Sequence, residues 1–385
     1  MNLFFSSFKD GEAMLLEIRD LQVGFATPRG LARAVDGVDL FLDQGGVFAL
    51  VGESGCGKSV SALAVLGLLP RPAARVLGGS IRFAGQELLN QPESDLAALR
   101  GSSIGMVFQE PMTSLNPVFN IGEQVAEPLR LHLGLGKSEA RQRAVRMLEK
   151  VGLPDPQRSA RAYPHQLSGG MRQRVMIAMA MACKPRLLIA DEPTTALDVS
   201  MQGQILALMR ELREESGSAL LLITHDLDVV AQSGGGMAVM YAGRIVESGP
   251  AAQLLARPLH PYTQGLLASR PSLAAPGSLK TGGTPAAPGI PRADEPGTPT
   301  AQEISKADAP ARSDMTRPEA APAFSRPRLH TIPGTVPAPL ERPAGCAFST
   351  RCPKAFERCR REMPPLFAPS EAGEEQLVRC WLRAN

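Results

Sequence analysis

The sequence predicts an α/β protein whose core is a mostly parallel sheet. Four short apolar runs have the length and composition of buried parallel strands: GVFALVG, SIGMVFQ, RLLIADEP and ALLLITHD. Segments with helical periodicity, such as 138–151 and 201–215, lie between these runs. Strands that alternate with helices are typical of α/β domains. Upstream, LLEIRDLQVGF and AVDGVDLFLD alternate apolar and polar residues and predict antiparallel strands.

Composition divides the chain of 385 residues into four zones. Residues 1–13 are a short N-terminal tail, and the strand and helix patterns occupy residues 14–270. Pro, Ala, Gly and Thr dominate residues 272–325, which cannot bury enough apolar surface to offset the entropy of ordering. We expect this stretch to be a disordered linker. Residues 326–385 regain Phe, Leu, Trp and Cys, and they predict a small Cys-rich C-terminal module.

Charge, aromatic content and hydropathy exclude several classes of protein. A net charge of +3 is too small for a nucleic-acid-binding surface, and aromatic residues, at 4%, are too few to stack on single strands. We therefore expect no nucleic-acid partner. No uncharged apolar run approaches the roughly 18 residues of a membrane span, and the N-terminus lacks the basic region of a signal peptide. These features predict a cytoplasmic protein that reaches a membrane only through a partner.

The stretch GESGCGKS, at 52–59, matches the phosphate-binding pattern G-x-x-x-x-G-K-[ST]. It follows an apolar strand and precedes a helical run, which is the context that the pattern requires. Its glycines let backbone amides point at phosphate oxygens, and the helix N-terminus adds partial positive charge. We predict that Lys58 reaches the β- and γ-phosphates and that Ser59 binds Mg²⁺. The predicted ATP-binding residues of this stretch are Gly52, Glu53, Ser54, Gly55, Cys56, Gly57, Lys58, Ser59 and Val60.

Two carboxylates close the apolar strand in RLLIADEP. Asp191 is placed to hold Mg²⁺, directly or through water, and Glu192 is placed to activate an attacking water as a general base. An acidic pair at the end of a strand can also simply face solvent. Because the chain also carries a phosphate-binding loop, we favour the nucleotide-site interpretation.

The stretch HQLSGGMRQRV, at 165–175, lies between the two nucleotide motifs and opens a helical run. With it the chain resembles the ATP-binding-cassette ATPases, whose signature is LSGGQ. The fifth signature position holds Met instead of Gln, and Gln173 follows two residues later. In that family the signature binds ATP held by the opposite subunit, so the resemblance implies two heads that sandwich two nucleotides. The implied signature residues are Leu167, Ser168, Gly169, Gly170 and Met171.

The resemblance also implies a P-loop NTPase cassette with an antiparallel β subdomain and a helical subdomain at about 110–175. Gln109 in VFQEP matches the glutamine that links Mg²⁺ to the helical subdomain, and Asp198 in ALD matches the loop at the dimer seam. His225 in LITHD matches the histidine that contacts the γ-phosphate, and Phe25 matches the aromatic residue under adenine. The implied Mg²⁺ ligands are Ser59, Gln109 and Asp191. The implied catalytic residues are Lys58, Glu192 and His225.

A narrower resemblance is to the dipeptide/oligopeptide branch of bacterial importer ATPases, which also carries the nickel importers. It rests on FQEPMTSLNPVF, DEPTTALDVSMQGQI and HPYTQGLL, and on a tail that reads RLHTIPGTVP and later GCAFSTRCPKAFERC and VRCW. In that pattern residues 272–325 are an insertion, and the signature variants match the first of two paralogous subunits.

This branch implies an ATPase subunit that lies at the cytoplasmic face of the cell membrane, as a peripheral protein, and powers import of di- or oligopeptides. The implied partners are a second homologous ATPase subunit, two transmembrane permease subunits and a periplasmic or extracellular solute-binding protein. Two alternatives stay open. The first is a nickel importer ATPase, and the second is a soluble cassette ATPase that acts on a non-transport partner.

Four cysteines crowd into the C-terminal residues of the chain, at Cys346, Cys352, Cys359 and Cys380. Disulfides are disfavoured because a P-loop ATPase works in the reducing cytosol. Structural zinc typically uses C-x₂₋₄-C pairs, and the gaps here do not match that spacing. Iron–sulfur clusters take four thiolates at more varied spacings, so we favour a [4Fe–4S] cluster, with zinc or free thiols as the alternatives.

Overall fold

The structure is a computed structural model of the chain. It describes residues 14–195, 197–269, 331–370 and 375–384. The predicted N-terminal tail at 1–13 and the predicted linker at 272–325 lie outside the described residues. Within the described ranges, no helix combines the length and the hydropathy that crossing a membrane requires.

Strands and helices alternate along the chain, as the sequence predicts. The strands are β1 (Met14–Thr27), β2 (Gly30–Asp43), β3 (Val47–Val51), β4 (Ala74–Phe83), β5 (Gln86–Glu87), β6 (Ile104–Val107), β7 (Leu187–Asp191), β8 (Ala219–Thr224), β9 (Gly236–Tyr241), β10 (Arg244–Pro250) and β11 (Leu377–Val378). The helices are α1 (Lys58–Val65), α2 (Glu93–Leu99), α3 (Pro111–Ser114), α4 (Ile121–Leu133), α5 (Lys137–Lys150), α6 (Pro156–Arg161), α7 (Gly169–Met181), α8 (Val199–Ser216), α9 (Leu227–Ser233), α10 (Ala251–Ala256), α11 (Pro261–Ala268) and α12 (Glu357–Arg361).

The main sheet has the strand order β11-β10-β9-β3-β8-β7-β6. Strands β9, β3, β8, β7 and β6 run parallel to their neighbours, which confirms the predicted mostly parallel core. Their residues are apolar and almost all buried because layers of the fold cover both faces of the sheet. The carboxyl ends of β3, β7 and β8 meet at one edge, where ligands bind in sheets of this kind.

The predicted antiparallel strands form a second sheet with the order β2-β1-β4-β5. Its apolar residues alternate with polar ones and face α1 and the main sheet across a shared core that includes Leu16, Val38, Leu50 and Ile81. Helices α4 to α7 pack around a separate core that includes Val125, Leu148 and Ile177 and reaches β7 and β8. These helices fill the region in which the resemblance places a helical subdomain.

The C-terminal residues are part of the cassette body. Residues 331–384, where described, belong to the same compact unit as residues 14–269. β11 pairs antiparallel with β10, with Val378 opposite Glu247, and so extends the main sheet. The expectation of an appended small module is therefore corrected, because backbone pairing and a shared apolar core join this segment to the ATPase body.

Candidate functional site

The predicted phosphate-binding loop lies between β3 and α1, at the carboxyl end of a central strand. Gly57 has a φ of 110°, and a Cβ there would stand 2.6 Å from the backbone oxygen of Ala34. A side chain cannot be accommodated without movement of the backbone, so this position requires glycine. The buried Lys58 Nζ donates to the backbone carbonyls of Gly52 at 2.8 Å and Glu53 at 3.1 Å. The loop is thus curled around the ammonium group.

Glu192 is the residue on which the predicted site converges. Its carboxylate is 7% exposed and lies 4.0 Å from Lys58 Nζ and 3.3 Å from His225 Nδ1. It accepts hydrogen bonds from Gln109 Nε2 at 3.2 Å and from Thr195 Oγ1 at 3.0 Å. Lys58, Gln109 and His225 follow three different parallel strands, so the strand order brings them to one edge of the sheet.

The backbone of Glu192 is strained. Its φ is 47°, in the left-handed region that non-glycine residues seldom occupy. The Glu192 N–H donates to the carbonyl of Ile223 on β8 at 2.8 Å, which fixes the turn after β7. Strain of this kind collects at functional sites, where the surrounding structure overrides the local cost. Here it aims the carboxylate toward Lys58 and Gln109.

Ser59 and Asp191 form the second polar pair of the site. Ser59 Oγ donates to Asp191 Oδ1 at 3.1 Å, across 132 residues of chain. Burial raises the pKa of the Asp191 carboxyl, and the negative charge of Glu192 adds to this, whereas the Ser59 hydrogen bond and Lys58 oppose it. A hydroxyl and a carboxylate side by side supply the oxygen donors that Mg²⁺ prefers, so the residues fit the predicted ion.

Other predicted residues lie apart from this cluster. Phe25 is half-buried in β1 and packs on the core of the antiparallel sheet. Ser168 caps α7 by accepting from Met171 N–H at 3.3 Å, and Asp198 caps α8 by accepting from Met201 N–H at 2.8 Å. Among the described residues, no hydrogen bond joins signature residues 167–171 to Glu192. Their predicted roles toward ATP stay predictions.

Two residues for which the sequence predicts no role lie at or beside the Glu192 cluster. Thr195 donates to Glu192. It follows Glu192 by three residues in the stretch DEPTT, and this spacing was the signal in the sequence. Gln173 is buried, and its Nε2 donates to the carbonyl of Pro193 at 2.6 Å. This bond ties α7, the helix that the signature opens, to the turn that carries Glu192.

A cluster of three aromatic side chains, which the composition did not predict, contacts the phosphate-binding loop. Tyr241, Tyr262 and Phe348 are fully buried, and their ring centroids lie 4.6 to 5.3 Å apart. Tyr262 Oη accepts a hydrogen bond from the Glu53 N–H at 2.9 Å. Burial raises the pKa of both tyrosines, so they stay neutral. The HPYT stretch thus contacts the loop directly, through a tyrosine far along the chain.

The four C-terminal cysteines lie around one small cavity, together with apolar residues such as Phe348 and Trp381. All six cysteines of the chain are free thiols. Burial raises the pKa of Cys346 and of Cys380 to about 11 and also raises that of Cys352, so these thiols are neutral. The common cavity agrees with the expectation that the cysteines act together.

The predicted [4Fe–4S] cluster is not supported by this arrangement. The cavity has a volume of about 10 Å³, which is room for about one water molecule. Among the residues that the structure describes, no three His, Cys, Asp or Glu side chains are grouped closely enough to hold a metal ion. The donor chemistry fits an iron–sulfur cluster, whereas a cavity of this size admits one only if the thiols move apart.

Two protein families match the chain. The family described as ABC transporter matches residues 35–195, which include the phosphate-binding loop and Glu192. The family described as oligopeptide/dipeptide transporter, C-terminal region, matches residues 246–297 and 318–359.

Relatives match over nearly the whole chain. A putative peptide import ATP-binding protein of Brucella ovis is 44% identical, and the match covers 95% of this chain and 97% of the relative. The oligopeptide transport ATP-binding protein AppD of Bacillus subtilis is 41% identical, with 96% of each chain covered. The dipeptide transport ATP-binding protein DppD of Escherichia coli is 43% identical, with 91% of this chain and 92% of the relative covered.

Solved structures share the fold. A dimeric ATP-binding cassette in a post-hydrolysis state, bound to ADP and phosphate, superposes with a TM-score of 0.56 at 28% identity, covering 62% of this chain and 99% of its own. A part of an ABC transporter complex from Clostridium perfringens superposes with a TM-score of 0.54 at 27% identity, covering 64% of this chain and 92% of its own. The chain therefore belongs to the ABC transporter family of ATP-binding proteins, in the group that carries the oligopeptide/dipeptide transporter C-terminal region.

Proposed function

We propose that this chain is the ATP-hydrolysing subunit of an ABC importer that carries di- or oligopeptides. The observation that carries the proposal is the convergence of Lys58, Gln109 and His225 on the buried carboxylate of Glu192. The peptide substrate is supported by the relatives, which are named as peptide, oligopeptide and dipeptide transport proteins.

The loop at 52–60 holds the ATP phosphates in this proposal. Backbone amides and the N-terminus of α1 face the phosphate oxygens, and Lys58 neutralises the charge of the β- and γ-phosphates. Bound Mg²⁺ supplies further charge neutralisation, and Ser59, Asp191 and Gln109 are the residues that would hold it. Phe25 stacks under the adenine ring.

Glu192 accepts the proton of the attacking water. Gln109 and Thr195 hydrogen-bond its Oε2 atom and so orient the carboxylate. His225, also beside Oε2 and 54% exposed, is free to turn toward the γ-phosphate as negative charge develops there. In-line attack then cleaves the bond between the β- and γ-phosphates and yields ADP and phosphate.

The signature acts on a second nucleotide in this proposal. Ser168 and the N-terminus of α7 meet ATP bound to an opposite subunit, and Asp198 lies at the seam between the two heads. The two heads close on ATP and open after hydrolysis. Two transmembrane permease subunits convert this cycle into alternating access, and a solute-binding protein outside the membrane delivers the peptide. The chain itself lies at the cytoplasmic face of the membrane.

Uptake of a labelled dipeptide tests the proposal in cells that carry the wild-type chain or the Lys58→Ala variant. We expect uptake by the wild type and loss of uptake with Lys58→Ala, together with co-purification of two integral membrane subunits. Uptake of Ni²⁺ in place of peptide would support the nickel importer. Co-purification with ribosomes and without membrane subunits would support the soluble cassette ATPase.

We also propose that the four-cysteine cavity takes up a [4Fe–4S] cluster, in preference to zinc. What supports this is the donor set of four thiols around one cavity. The thiols must move apart to admit the cluster. Anaerobic purification followed by iron, sulfide and zinc analysis tests it. About four iron and four sulfide per chain, lost in Cys352→Ser, are expected, and a colourless protein with four titratable C-terminal thiols would contradict it.

A further inference from the structure

An arginine of the C-terminal segment reaches the phosphate-binding loop. Arg351 Nη1 lies 3.0 and 3.1 Å from the two carboxylate oxygens of Glu53, across 298 residues of chain. The Arg351 side chain is 5% exposed and that of Glu53 is 29% exposed. Because the pair is largely shielded from solvent, salt screens it less than it screens a surface ion pair. The pair therefore acts on the loop at ordinary ionic strength.

The other contacts of Arg351 fix the orientation of its guanidinium. Nε donates to the carbonyl of Pro333 at 2.8 Å, and Nη2 donates to the carbonyl of Ile332 at 3.3 Å. The guanidinium carbon also lies 5.8 Å from the ring centre of Tyr241 and 6.0 Å from that of Phe348. These two hydrogen bonds and two ring contacts hold the planar guanidinium so that Nη1 points at Glu53. A lysine ammonium cannot reproduce this geometry.

The charge of Glu53 gives this pair a consequence for ligand binding. Glu53 lies inside the loop that receives the phosphates in the proposed function, and its own carbonyl accepts from Lys58 Nζ. An unpaired carboxylate at this place would repel a triphosphate. Arg351 neutralises the carboxylate, while Tyr262 holds the Glu53 N–H from the other side.

We propose that Arg351 is a positioning residue of the ATP site. It cancels the charge of Glu53 and holds the start of the phosphate-binding loop in the shape that accepts ATP. The inference rests on the proposed function of this loop. It makes the C-terminal segment part of the nucleotide site, in addition to its place in the sheet.

A double-mutant cycle on the full-length chain tests the inference, with KM and kcat for ATP and the melting temperature as readouts. Arg351→Met is expected to raise the KM about tenfold, the effect of losing one charge-assisted hydrogen-bonded pair. It should leave kcat within about twofold, because Arg351 does not contact Glu192. In the Glu53→Gln background the same change should raise the KM by less than about twofold, because no charge remains to be cancelled.

Arg361→Met is the matched control, because it removes an exposed pair with Glu357 in the same segment, and it should change neither KM nor the melting temperature. The inference would be overturned if Arg351→Met raised the KM equally in the wild-type and Glu53→Gln backgrounds. An unchanged KM in the wild-type background would also overturn it. If Arg351→Met does not fold, Arg351→Lys carries the same test, with a KM increase of about threefold expected in the wild-type background alone. A wild-type chain that fails to bind a fluorescent ATP analogue would overturn the proposed function and this inference with it.

Discussion

Gln109 Nε2 donates a hydrogen bond of 3.2 Å to Glu192 Oε2, although 83 residues separate the two in the chain. The bond spans the carboxyl ends of the adjacent strands β6 and β7. It joins the start of the helical region to the proposed general base. Movement of that region would therefore shift the carboxylate that we propose as the base for the attacking water.

Replacement of Glu192 by Gln tests the role of this carboxylate. An amide cannot accept the proton of the attacking water, so we expect kcat to fall by at least about 100-fold. Binding of a fluorescent ATP analogue should persist, because the phosphate-binding loop is unchanged. Glu149→Gln, at an exposed position of α5, is the control and should keep the wild-type rate. Undiminished turnover in Glu192→Gln would remove Glu192 from the role of base.

Thr195 should be a positioning residue of the same carboxylate. Thr195→Val keeps the shape of the side chain and removes the hydroxyl that donates to Glu192 Oε2 at 3.0 Å. A hydrogen bond to a charged group contributes about 1.5–3 kcal/mol, so we expect kcat to fall about tenfold. Thr195→Ser retains the donor and should recover most of the rate. Equal losses in the Val and Ser variants would point to packing instead.

A buried carboxylate joins the HPYT stretch to the C-terminal strand. Glu247 accepts from the backbone N–H groups of Leu259 at 2.7 Å and His260 at 2.9 Å, and from Gln376 Nε2 at 2.8 Å. In Glu247→Gln, an NH₂ group replaces one of the two carboxylate oxygens. That group faces an N–H donor and cannot accept from it. We expect the free energy of unfolding to fall by about 2 kcal/mol, measured by urea titration. Glu357→Gln, at an exposed pair, should change it by less than about 0.5 kcal/mol.

His260 should make stability depend on pH. Burial, with the charge of Arg379, lowers its pKa from 6.5 to about 3, and its neutral Nδ1 accepts from the Tyr262 N–H. The unfolded chain binds a proton at this residue below pH 6.5, whereas the native protein does not until about pH 3. The free energy of unfolding should therefore rise with pH across this window, by up to about 1.4 kcal/mol per pH unit.

His260→Asn isolates that slope. Asn keeps an acceptor for the Tyr262 N–H but does not titrate. The free energy of unfolding, measured by urea titration, should therefore rise less steeply between pH 4 and pH 6 in the variant. His165→Asn, at an exposed histidine, should leave the slope of the wild type unchanged. An identical slope in all three proteins would show that His260 is protonated in the native state.

Much of the ATP site could be predicted because its residues follow local patterns. GESGCGKS curls as it does because glycines adopt left-handed backbone angles, and Gly57 occupies a place where a Cβ would meet the backbone oxygen of Ala34. Asp191, Glu192 and His225 each follow an apolar run, and parallel strands bring their carboxyl ends to one edge. Once the strands are recognised, the convergence on Glu192 follows from the topology.

The C-terminal segment is held in place by contacts that no local sequence pattern determines. The sequence marked residues 326–385 as a separate Cys-rich module, but β11 pairs with β10 and Arg351 binds Glu53. Such contacts join residues hundreds of positions apart, and they depend on how side chains fill one shared core.

The ATPase chemistry could be predicted from the sequence because short-range patterns of glycine, carboxylate and apolar residues specify it. Two features became visible only in the folded chain. The C-terminal segment contacts the phosphate-binding loop, and its four cysteines help to line one cavity of about 10 Å³. Burial and charge pairing across the core are set by packing in three dimensions, where Arg351 and Glu53 become neighbours.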